Sequence, residues 1–82
     1  MKEQDLIDLG FERIDISAKQ SGDEAYHYYV YAFTEDFYLI SCANDEAASR
    51  GWFVQMFDYD NIDFFDKDDV KALIQIINRN KI

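Results

Sequence analysis

Proline is absent from the 82 residues, and the chain has only 3 glycines, 1 cysteine and 1 histidine. Without proline, nothing in the apolar runs forbids a strand. A lone Cys42 excludes an internal disulfide. One Cys and one His fall short of the four ligands that structural zinc takes. So few glycines leave no phosphate-cradling loop, and the chain also lacks G-x-S-x-G, H-E-x-x-H and C-x-x-C. Lys and Arg number 8 against 17 Asp and Glu, for a net charge of −9. That imbalance disfavours direct binding to a phosphate backbone or to an anionic membrane surface. No run approaches the ~20 apolar residues that span a bilayer. Glu3, Asp5 and Asp8 stand where a signal peptide needs apolar residues, so the expected setting is cytoplasmic.

What is abundant is aromatic and acidic. Phe 7, Tyr 6 and Trp 1 supply the apolar area that a single small domain, residues 1–82, needs for a core. EQDLIDLGF reads as a short helix, with Gly10 able to take the left-handed conformation past its end and Phe11 packing back on the last turn. FERIDIS alternates and suits an edge strand, and AKQSGDE reads as a polar connection with Gly22 free for positive φ. AYHYYVYAF and DFYLISCA form a hairpin signature around Thr34-Glu35-Asp36. NDEAASRG reads as a loop, GWFVQMFDY as a strong strand and IDFF as a short edge strand. In DKDDVKALIQIINRNK, Val70, Leu73, Ile74 and Ile77 make one apolar stripe, with Asp66 as N-cap candidate and Asp68 and Asp69 in the first turn. The expected fold is α+β: a short N-terminal helix, an antiparallel meander of four to five strands, and a C-terminal amphipathic helix packed on one sheet face.

A two-residue turn at Glu35-Asp36 would set Thr34 opposite Phe37. Tyr26, Tyr28, Val30 and Ala32 would then share a helix-covered face with Phe37, Leu39, Ser41 and Ala43. His27, Tyr29, Tyr31 and Phe33 would share the other face with Tyr38, Ile40, Cys42 and Asn44. On that second face His27 lies diagonal to Cys42, the nearest approach to a metal pair in the sequence. A half-buried imidazole beside an apolar thiol is the plainer reading, and no metal or other cofactor is expected.

FDYDNIDFFDKDDVK concentrates Asp58, Asp60, Asp63, Asp66, Asp68 and Asp69 between aromatic residues. An EF-hand fails here: counting from Asp58, position five is Ile62 and position six is Asp63, where an acidic or amide ligand and a glycine belong. Helix capping and protection of an edge strand use part of this charge, but capping needs one or two carboxylates. Residues two apart on a strand lie about 6.6 Å apart on one face, so Asp58 and Asp60 are expected to begin a row of negative charge continuing into the helix start. Tyr59, Phe64 and Phe65 are the candidate anchors beside it.

The opening DLGF, the tyrosine-rich meander, the SCANDEA…GWFV segment and the final short helix together resemble the small acidic proteins of phages and mobile elements. In size and charge the chain is similar to anti-CRISPR and DNA-mimic inhibitors. That resemblance carries over no functional residue. It implies a non-enzymatic inhibitor that acts by stoichiometric binding to a basic nucleic-acid-binding protein such as a nuclease. An immunity protein against a cognate nuclease would have the same character. The alternative is a self-associating module, a homodimer that uses Tyr29, Tyr31, Phe33 and Tyr38 as its interface.

Overall fold

The first helix stops where its sequence says it must. In the computed structural model, which describes residues 1–81, α1 spans Glu3–Asp8. The Lys2 N–H donates to the Asp5 carboxylate at 2.8 Å, satisfying one of the free donors at the helix start. Gly10 adopts φ 98°, its N–H donates to the Ile7 carbonyl, and the Phe11 N–H donates to the Leu6 carbonyl at 3.0 Å. This is a Schellman closure, with Phe11 and Leu6 meeting in the core.

The remaining elements are β1 (Glu12–Ile16), α2 (Ala18–Ser21), β2 (Tyr26–Ala32), β3 (Tyr38–Ser41), α3 (Asn44–Arg50), β4 (Val54–Met56), β5 (Tyr59–Phe64) and α4 (Lys67–Asn80). The five strands lie in chain order, each antiparallel to its neighbours, so the meander is as expected, with β1 and β5 at its edges. The strand expected over GWFVQMFDY is cut to the three residues of β4 by a turn after Met56, and β5 starts at Tyr59 rather than at Ile62. Two helices fall where loops were expected. The polar connection holds α2, capped by Ser17 and Gln20 in a reciprocal box and ended by Gly22 at φ 76°. NDEAASR forms α3, with Asp45 and Glu46 in its first turn, Glu46 paired to Arg50 one turn on, and Gly51 at its end.

The β2–β3 register is shifted by one residue from the expected one. Val30 pairs with Ile40 and Ala32 with Tyr38, while the Phe33 and Thr34 N–H groups both donate to the Phe37 carbonyl. The cause is the Thr34 hydroxyl, which accepts from the N–H groups of Asp36 and Phe37 and closes a loop of three residues. Leu39 and Ser41 therefore share a face with Tyr29 and Phe33, and all four are buried. Tyr38 and Cys42 move to the other face with Tyr26 and Tyr28.

This corrects the expected assignment of faces. The helices cover the aromatic face of β2: Leu6 of α1 and Val70 and Ile74 of α4 join Phe11, Tyr29, Phe33, Leu39 and Val54 in one core. The aromatic dimer surface drawn from the sequence is thereby lost, since Tyr29 and Phe33 are interior and Tyr38 faces the opposite way. On the second face, a small cluster of Cys42, Ala47 and Phe53 seats α3 at one end. Beside it Tyr26 and Tyr28 stack at 6.4 Å along a shallow hollow of about 410 Å³. Among the described residues no helix is long and apolar enough to cross a membrane.

Candidate functional site at the acidic edge

β5 is an outer strand, bonded to β4 on one side only. The tight connection into it is Phe57-Asp58, where Asp58 takes φ 68°, a left-handed conformation that aspartate tolerates better than most residues. The Phe57 N–H donates to the Tyr38 carbonyl, and the two rings stack at 4.4 Å. Asp58 thus lies in the turn rather than in the strand. The alternation expected to align it with Asp60 does not apply.

The nine candidate residues separate into three groups. Asp58, Tyr59 and Asp60 stand exposed at the turn, with Tyr59 62% accessible. Phe65, Asp66, Asp68 and Asp69 stand exposed at the start of α4. Asp66 caps that helix by accepting from the Asp68 N–H at 2.7 Å. Phe65 keeps 42% of its area in solvent while its ring sits 5.1 Å from Phe53. Between these ends, Phe64 turns inward against the main core.

Asp63 is already committed. It accepts from Gln55 Nε2 at 2.7 Å and from Arg50 Nη2 at 3.0 Å. The Gln55 hydrogen bond first, and Arg50 after it, holds its carboxyl below the usual range. Arg50 in turn also binds Glu46 and lies 4.6 Å from the centre of the Phe53 ring. The expected continuous row of carboxylates is therefore two acidic groups separated by the length of β5, about 17 Å. Among the described residues, no cation forms an ion pair with Asp58, Asp60, Asp66, Asp68 or Asp69.

The His27–Cys42 pair does not come together. The two side chains lie on opposite faces of the sheet, because the register shift moves Cys42 away from His27. Cys42 sits in the α3 cluster, where burial pushes its thiol pKa up. No group of three His, Cys, Asp or Glu side chains among the described residues could hold a metal ion.

One cluster had no local signal in the sequence. Glu3 Oε2 accepts from the Tyr29 hydroxyl at 2.6 Å and lies 2.7 Å from His27 Nε2. The Trp52 ring closes over both partners, 5.6 Å from Tyr29 and 5.9 Å from His27. The Tyr29 hydrogen bond, more than His27, lowers the Glu3 pKa against the opposing effect of burial. Burial, reinforced by Glu3, raises that of Tyr29. The cluster ties α1 to β2 across more than twenty residues of chain, a pairing that only the folded topology creates.

Comparison of the chain with protein-family models, with curated proteins and with solved structures returned no match.

Proposed function

We propose that this protein is a non-enzymatic inhibitor that binds a basic nucleic-acid-handling protein, such as a nuclease, and blocks the groove where that partner holds nucleic acid. The observation that carries the reading is the pair of carboxylate groups at the two ends of β5 that form no ion pair among the described residues, each beside an exposed aromatic ring. Asp58 and Asp60 flank Tyr59, and Asp66, Asp68 and Asp69 follow Phe65. Their separation of about 17 Å spans several phosphates of a nucleic-acid strand, so a groove lined by Lys and Arg can meet both groups at once. The carboxylates steer the encounter, and Tyr59 and Phe65 supply buried area on contact. The protein's own charge opposes direct contact with nucleic acid, which makes the basic partner the target. On this reading its place of action is the cytoplasm of a host cell.

The test is a tagged pull-down from lysate, washed at low and high salt, that compares the natural chain with a variant carrying Asp58→Asn, Asp60→Asn, Asp68→Asn and Asp69→Asn. Asp63 and Asp66 stay in place because they hold Arg50 and cap α4. The expected result is a basic nucleic-acid-binding protein retained at low salt, released at high salt and not retained by the variant. Equal retention of that protein by the variant would overturn the mechanism.

A further inference from the structure

β1 is the opposite edge of the sheet, and the centre of its sequence Glu12-Arg13-Ile14-Asp15-Ile16, Arg13-Ile14-Asp15, is complementary to itself when reversed. Its five residues pair in unbroken register with β2. Among the described residues, no backbone group of another element bonds to its outer side. Such an edge leaves the N–H and C=O of alternate residues without a strand partner. Placed antiparallel to a second copy about a two-fold axis through Ile14, the strand sets Ile14 against Ile14. Arg13 then faces Asp15 of the other copy, Asp15 faces Arg13, and Glu12 faces Ile16. Opposite charges directly across a strand pair attract, and two such pairs form at once by symmetry. Arg13 and Asp15 already pair within the chain at 3.0 Å on the same face of β1, and both remain largely exposed, so four charges of alternating sign would meet across the junction.

β5 offers no such match. Turned on itself, Tyr59–Phe64 brings carboxylates together, and its pairing with β4 is irregular between Val54 and Met56. We propose that β1 is a homodimer interface, joining two copies edge to edge into one antiparallel sheet of ten strands. An axis perpendicular to the sheet keeps the α1 and α4 layers of both copies on one side. It leaves the two acidic β5 edges at the far ends, roughly 45 Å apart at ordinary strand spacing. The interface is independent of what the acidic edges bind.

Sedimentation or light scattering of the natural chain at concentrations up to about 1 mM reads the association directly. Arg13→Glu sets like charges against each other at two symmetric places, and is expected to weaken dimerisation at least about tenfold. The double variant Arg13→Asp, Asp15→Arg restores opposite charges in reversed order and is expected to recover the dimer. Circular dichroism of each variant verifies the fold, and amide exchange of Glu12–Ile16 is expected to slow as concentration rises. A natural chain that stays monomeric throughout the range would overturn the proposal. So would an Arg13→Glu variant that dimerises as well as the natural chain.

Discussion

Replacing Tyr29 with Phe removes one oxygen atom from the interior and leaves the ring in place, so it isolates the bond that ties α1 to the sheet. The hydroxyl donates to the Glu3 carboxylate at 2.6 Å, and Tyr29 is only 1% accessible. A hydrogen bond to a charged group contributes about 1.5–3 kcal/mol when shielded from water. The Glu3 side chain keeps 38% of its area in solvent and retains its contact with His27, so water partly replaces the lost donor. Phenylalanine itself leaves no unpaired polar atom. The expected loss is about 1–2 kcal/mol at pH 7, enough to lower the midpoint of thermal unfolding by roughly 5–15 °C in a domain of this size. The pH dependence follows from the lowered pKa of Glu3. A carboxyl depressed on folding contributes stability that is complete above its unfolded value, about 4.3, and that is lost as pH falls through the folded value. Tyr29 is the largest cause of that depression, so the gap between the natural chain and Tyr29→Phe should be widest at neutral pH and should narrow in acid. Urea denaturation of both proteins at pH 7 and pH 3 reads both effects. A difference under about 0.3 kcal/mol at pH 7, or a gap unchanged in acid, would refute the assignment.

Three other outcomes follow from the packing. Gly10→Ala forces a side chain into φ 98° with its Cβ 3.4 Å from Tyr31 Cε2, and should cost about 1–2 kcal/mol in the same unfolding assay. Val70→Ala opens a cavity where α4 meets the sheet, at a fully buried position, and should cost about 2–3 kcal/mol, a large share of the stability of so small a domain. The buried Cys42 thiol, with its pKa raised, should react with an aromatic disulfide reagent at pH 8 at least about a hundredfold more slowly in the folded protein than in urea; equal rates would place it at the surface.

Elements fixed by local chemistry were legible in the sequence. Gly10 ends α1, Asp66 begins α4, and the Val70–Ile77 stripe faces the core because each of these needs only its neighbours. The aromatic and β-branched content of β2 and β3 identified the strands but not their register, because the register was decided by one hydroxyl, that of Thr34. Setting the turn one residue short placed the wrong face of β2 beside Leu39 and Ser41: those two lie on the helix-covered side as expected, but Tyr29 and Phe33, rather than Tyr28 and Val30, join them there. The Ser17-x-x-Gln20 box and the Glu46–Arg50 pair are local signals for α2 and α3, which the polarity of both segments alone does not distinguish from loops. The fate of Asp63 had no local signal: Arg50 reaches it from an α-helix thirteen residues earlier. The Glu3 clasp likewise joins residues that approach only after the sheet forms.

The acidic groups flanking β5 are proposed to occupy a nucleic-acid groove. The most direct measurement is displacement of a fluorescent oligonucleotide from the captured basic partner by the natural chain and by the Asp58, Asp60, Asp68, Asp69→Asn variant, at low and at high salt. The expected result is release by the natural chain at a stoichiometric end point, weakened by salt and lost in the variant. A partner that binds the protein and its oligonucleotide together, or release by the variant at the same concentrations, would contradict it.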